Sequence, residues 1–160
     1  MINLSPNNIN EKIKNAQKNW ANGVINIGKC YLEKKDYIAL TETFIEELYA
    51  FKKSKVLFKP TKAIKSQLRK DKNAFISYFI GHNKTSDEDN GFALEPWKVI
   101  QFDNFDFSVF KDIIISMGNY FFTNYDGEKV KVEYTFGYIL DEKEHDLKII
   151  FHHSSIPYSI

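Results

Sequence analysis

Ile9, Ile13, Ala16, Trp20, Val24 and Ile27 recur at steps of three and four behind Ser5-Pro6, a pair that caps and opens a helix. An apolar stripe of that length is stable only when a broad surface covers it, so the rest of the chain must supply one. Gly23 and Gly28 weaken the second half and allow a bend near Gly23. Cys30, Tyr31 and Leu32 then carry the pattern to a break at Lys34-Lys35-Asp36. Asp36 caps a second helix with Tyr37, Leu40, Phe44, Ile45 and Leu48 on its apolar face. Glu42, Glu46 and Glu47 are left to solvent.

The covering surface comes from the remainder of the chain. From Val56 onward β-branched and aromatic residues dominate, punctuated by Gly and Asx clusters. Val56-Leu57-Phe58 reads as a short strand ending at Lys59-Pro60-Thr61, and residues 62–70 read as a helical turn. Ala74 to Ile80 reads as strand again, and His82 to Asn90 as a polar loop. Gly91 to Phe102, Ile113 to Thr123, Lys129 to Leu140 and Leu147 to His153 follow as longer strands, with Asp126-Gly127 joining the second and third of them. Val130, Val132, Tyr134, Phe136 and Tyr138 alternate with Lys131, Glu133, Thr135 and Gly137, so one sheet face is buried and the other partly wet. Helices followed by a meandering, twisted, antiparallel sheet define an α+β class. The long helix lies across the curved sheet, which leaves a pocket at its open end. A chain of 160 residues suits one domain over 1–160.

Several chemistries are excluded or weakened by what is missing. Lys plus Arg total 22 against 21 for Asp plus Glu, which gives no electrostatic footprint for nucleic acid or an anionic membrane. Arg69 is the single arginine, so clustered guanidiniums cannot capture an anion; Lys59 and Arg69 are expected as solvated or paired surface cations. One cysteine, Cys30, rules out an internal disulfide and any Cys-rich metal cage, and its place in a helix pattern suits a small buried hydrophobe. No glycine-rich phosphate loop and no G-x-S-x-G elbow occurs. His82 and His145 fall in polar loops. His152 and His153 are adjacent on a strand, so they point to opposite faces and cannot hold one ion together without a bulge. The polar start, Met1 to Asn10, lacks a basic stretch followed by an apolar run, and no apolar run reaches the ~18 residues of a membrane span, so a soluble, cytoplasmic protein is expected.

What remains is hydroxyls and one imidazole: Thr61 after Lys59-Pro60, Tyr78 in Ser77-Tyr78-Phe79, and the terminal His152-His153-Ser154-Ser155 before Ile156-Pro157. Alternation places His153 and Ser155 on one face and His152 and Ser154 on the other. If the first face is the inner one, His153 and Ser155 meet the pocket. Phe58, Phe79, Tyr134 and Phe136 are candidate apolar walls or simply core.

Eight blocks in order then carry a resemblance. They are 56–61 (Val-Leu-Phe-Lys-Pro-Thr), Ser77-Tyr78-Phe79, Glu88-Asp89, Gly91-Phe92-Ala93, Pro96-Trp97, Met117-Gly118-Asn119-Tyr120, 132–138 (Val-Glu-Tyr-Thr-Phe-Gly-Tyr), and His152-His153-Ser154-Ser155 before Pro157. From about residue 20 to 158 the chain resembles the iota-class carbonic anhydrases, within the wider nuclear-transport-factor-2-like superfamily that includes the association domain of calcium/calmodulin-dependent kinase II. The resemblance implies a cone-shaped α+β domain with an antiparallel or mixed sheet on N-terminal helices, usually a homodimer. It also implies interconversion of carbon dioxide and bicarbonate with no cofactor, through positions here occupied by Thr61, Tyr78, His153 and Ser155. Zinc or manganese would fall to His152 and His153 if an ion binds at all. The rival expectations are a binding or dimerisation module of the same fold, and a different enzyme of the superfamily. Among the latter, a zinc cyclohydrolase would need more cysteines than Cys30.

Overall fold

The computed structural model describes residues 4–141 and 145–159, so the polar start is described from Leu4 onward. The opening stripe forms α1, Pro6–Leu32. Ser5 caps it by accepting the Asn8 amide, and Ile9, Ile13, Trp20, Val24 and Ile27 are buried along one side. The helix runs without interruption through Gly23. Gly23 serves packing instead: a Cβ there would lie 2.3 Å from the Phe44 ring of α2, Tyr37–Leu48. Asp36 caps α2 through the Ala39 amide at 3.0 Å.

Beyond α2 come β1 (Leu57–Lys59), α3 (Lys72–Ile80), a single 3-10 turn (Phe92–Leu94), β2 (Trp97–Phe110), β3 (Ile113–Asn124), β4 (Lys129–Asp141) and β5 (Asp146–Ser155). The sheet order is β1-β5-β4-β3-β2, with β2 to β5 antiparallel and β1 added parallel to β5, so the sheet is mixed. Its inner face meets α1 around Trp20, whose ring is surrounded by Phe44, Phe79, Phe102, Tyr120, Phe122, Phe136 and His152.

Three expectations are corrected. Ala74–Ile80 is helix, not strand: all seven side chains are buried, so no polar face marks the helical period. Its punctuation was nonetheless present, in Asp71 capping the Ala74 amide and Gly81 closing the helix at φ +63°. Residues 62–70 contain no helical turn. The segment folds back on β1, where the Arg69 amide donates to the Phe58 carbonyl at 2.7 Å. The expected Gly91–Phe102 strand begins only at Trp97, after the 3-10 turn and Pro96, which has no amide for a ladder, and it extends to Phe110.

Candidate functional site

The site is built on β5, and its geometry depends on one extra residue. Leu147 and Ile149 point into the core, and strict alternation would send 151, 153 and 155 after them. The β4–β5 register shifts instead between Gly137↔Phe151 and Tyr138↔Ile149, leaving Ile150 as a bulge. Parity inverts there, so His152 (1% exposed) and Ser154 (3%) face the interior, while His153 and Ser155 are half-buried on the outer side. The expectation that His153 and Ser155 meet the pocket is therefore corrected in orientation. Ser155 donates to Glu133, and His153 lies in register with Lys59 of β1, opposite the core.

Inside, a continuous chain of polar groups crosses the aromatic core. The Trp20 indole N–H donates to the Tyr49 hydroxyl at 2.9 Å, and Tyr49 Oη lies 3.0 Å from His152 Nδ1. On the other side of the ring, His152 Nε2 lies 3.1 Å from Ser154 Oγ and 3.4 Å from Tyr120 Oη, and Ser154 and Tyr120 are hydrogen-bonded to each other. Phe58 stacks on the imidazole at 4.6 Å and Phe136 meets it edge-on at 4.2 Å. Burial in this apolar setting pushes the His152 pKa well below its usual value, with neighbouring His153 adding to the effect, so the ring is neutral. Burial likewise raises the Tyr49 phenol well above its usual value, against the pull of the Trp20 hydrogen bond. Tyr120 is raised too, against the Ser154 hydrogen bond. The cluster is a set of uncharged donors and acceptors, able to hydrogen-bond a small oxygen-rich substrate without adding net charge.

Tyr78 joins this end of the cone from α3. Its ring meets Phe58 edge-on at 5.3 Å and stacks on Phe92 at 5.5 Å. Burial, and then Tyr120, keep its hydroxyl protonated, while the Lys62 amide beside it acts in the opposite sense. That amide follows Thr61, so the turn after β1 brings Thr61 to the Tyr78 side of the site, where Thr61 is half-buried. A cleft of about 360 Å³ opens here, lined by Tyr31, Lys62, Tyr78, Phe92, Leu94 and Glu95 together with the 88–91 segment.

Arg69 is not a surface cation. It is 1% exposed, with Nη2 2.5 Å from Asp89 Oδ1, and Ser77 Oγ donates to Asp89 Oδ2 at 2.6 Å. Beside it, the Glu88 carboxylate accepts the Ile64, Lys65 and Ser66 amides, which pull its pKa down to about 2. The 61–69 turn is thus strapped to the segment after α3. Lys59 remains half-buried on β1.

Sequence reasoning missed Trp20, Tyr49 and Tyr120 as polar participants. Trp20 was visible only as a core position, Tyr120 only within a matching block, and Tyr49 ends a helix with nothing nearby to mark its hydroxyl. A larger cleft of about 680 Å³ lies between α1 and β2–β3, floored by a Gln17, Asn104, Tyr134 and Ser116 network. Its lining includes Ile13 and Phe102 but none of Thr61, Tyr78, His152, His153, Ser154 and Ser155. Among the described residues no three His, Cys, Asp or Glu side chains are placed to hold a metal, and no helix is long and apolar enough to cross a membrane.

Known proteins share both sequence and architecture with this chain. A family profile described as metal-independent carbonic anhydrase matches residues 11–156. A metal-independent carbonic anhydrase of Nostoc sp. is 34% identical over 146 residues, covering 89% of this chain and 71% of that protein. The crystal structure of an iota-carbonic anhydrase from a cyanobacterium, complexed with bicarbonate, superposes with a TM-score of 0.89 at 30% identity, covering 100% of this chain and 98% of that one. An NTF2-like protein of unknown function from Pseudomonas putida matches at 14% identity with a TM-score of 0.53, over 94% of this chain and 87% of its own, and shares the fold alone.

Proposed function

Because the chain belongs to the metal-independent carbonic anhydrase family, we propose that it interconverts carbon dioxide and bicarbonate with its own hydroxyls and without a bound metal. The observation that carries this is the neutral donor cluster of Ser154, Tyr120 and His152 beside Tyr78, in a chain that superposes on a bicarbonate-complexed relative.

In the hydration direction, the water oxygen bonds to carbon, one C=O electron pair moves onto oxygen, and a proton is released to solvent. A zinc enzyme lowers the pKa of its bound water far below that of bulk water, to about 7, worth roughly 12 kcal/mol. Buried hydroxyls cannot match that. They stabilise the charge growing on the carbon dioxide oxygens, and one well-aimed donor gives ~10²- to 10³-fold. Thr61, Tyr78 and Ser154 are assigned as substrate donors, with Tyr120 in support and His152 behind Ser154. His152 and Ser154 take the places that alternation gave to His153 and Ser155, because the bulge at Ile150 turns them inward.

The assembly proposed is a homodimer through the outer sheet face, where Phe110, Ile113, Ile115, Met117 and Phe151 are exposed. The location proposed is the cytoplasm, which suits a free Cys30.

Stopped-flow hydration on chelator-treated protein, with metal measured in the same sample, tests the function. Wild type is expected to be active, Ser154→Ala to lose ~10²-fold or more, and Ser155→Ala to stay within a few-fold. The reverse order of the two serines would move the site to the outer face. Silence in all samples would favour a binding module of the same fold.

A further inference from the structure

We infer that Trp20 and Tyr49 set the direction of the interior hydrogen-bond chain, so that His152 carries its proton on Nε2 and positions Ser154 and Tyr120 as a donor to them, not as their base. The functional weight of this rests on the carbonic anhydrase reading above; the geometry does not.

The chain Trp20, Tyr49, His152, Ser154, Tyr120 has four links. With a neutral imidazole it holds five hydrogens: the indole N–H, one imidazole N–H and three hydroxyl hydrogens. One hydrogen is therefore left over, and the direction of the chain decides where. Trp20 can only donate, so the first link is fixed from Trp20 to Tyr49. If His152 also donated to Tyr49 from Nδ1, that oxygen would accept twice. The spare hydrogen would then be the Tyr49 O–H, in a pocket walled by Phe44, Phe58 and Phe75. If Tyr49 instead passes its hydrogen to Nδ1, each bond strengthens the next. The spare hydrogen is then a hydroxyl of the Ser154–Tyr120 pair.

The second direction puts the unmade bond on the Ser154–Tyr120 pair, where the reading above places the substrate together with Tyr78. A substrate oxygen arriving there would meet a hydroxyl with its hydrogen free. In the first direction both hydroxyl hydrogens of the pair are used internally, one on His152 Nε2 and one within the pair, so nothing is offered to substrate. Trp20 and Tyr49 are thus positioning residues: neither touches substrate, and both decide what Ser154 and Tyr120 present. Because each bond in the second direction strengthens the next, the Nε2–H tautomer is expected to be the major form.

The test is nitrogen-15 NMR of protein labelled at histidine, which separates a protonated from an unprotonated ring nitrogen. Wild-type His152 is expected to show N–H character at Nε2 and a bare Nδ1 across neutral pH. In Tyr49→Phe the bare Nδ1 loses its donor, the two tautomers are expected to mix, and hydration is expected to fall at least ~10-fold through kcat. Trp20→Phe keeps an aromatic ring in the core and is expected to shift the tautomer ratio in the same sense by less. A wild-type Nδ1–H tautomer, or a Tyr49→Phe protein that folds and keeps the wild-type ratio, overturns the inference. An Nε2–H tautomer in a protein without hydration activity would overturn the function and leave the inference standing.

Discussion

Arg69 shows how much a single side chain can tie together. Its Nη1 donates to the Ser66 carbonyl and its Nη2 to Asp89, while Asp89 also receives Ser77 from α3, so the turn carrying Thr61 and the helix carrying Tyr78 share one buried pair. Arg69 Nε is buried without a hydrogen-bond partner among the described residues, so the pair bears an unrecovered desolvation cost. Arg69→Met would remove the guanidinium from the buried Asp89 carboxyl and leave Ser77 as its side-chain hydrogen-bond partner, and is expected to cost about 3–5 kcal/mol in urea unfolding. A loss below ~1 kcal/mol would show the pair to be unimportant for stability. Thr61 and Tyr78 were legible as candidates, by their hydroxyls and by resemblance. The burial of Arg69 was not, because Asp89 and Ser77 come to it through the return of the chain after α3, and separations of that kind leave no local pattern.

Elements were legible where one face differs from the other. Ser5 and Asp36 marked the starts of α1 and α2, and the alternation in β4 marked its inner face. It failed for α3, which is buried all round, and for β5, where Ile150 breaks the parity that sequence alternation assumes. Bulges leave no signature in residue type, since Ile150 would suit either face. The β2–β3 pair holds a related device: the register slips between Asn104 and Asp106, opposite Gly118. A Cβ on Gly118 would lie 2.2 Å from the Asp103 carbonyl oxygen and 3.0 Å from the Tyr134 ring. Gly118→Ala is therefore expected to destabilise by ~1–3 kcal/mol or more, read as a lowered Tm with far-UV dichroism unchanged below the transition. An unaltered Tm would mean that β2 yields there without cost.

At the scale of the whole molecule, α1 fills the concave side of the sheet and leaves the convex side bare. Ile113, Ile115 and Met117 alternate outward on β3, with Phe110 on adjacent β2 and Phe151 on β5 beyond β4, 36–68% exposed. A second copy covering this face would remove it from water, and Ile115→Lys with Met117→Lys is expected to convert a dimer to a monomer in sedimentation equilibrium. A wild-type monomer at micromolar concentration would remove the dimer from the proposal. The sequence by itself determined the α+β class, the amphipathic α1 that must lie across a sheet, the aromatic interior and the hydroxyls available for chemistry, because each follows from periodicity or residue type within one segment. Only the tertiary structure decided which face of β5 is inside, and that Trp20 and Tyr49 reach His152. Those depend on a one-residue bulge and on contacts between segments as far apart as residues 20 and 152, where packing and hydrogen-bond satisfaction, not local pattern, select the arrangement.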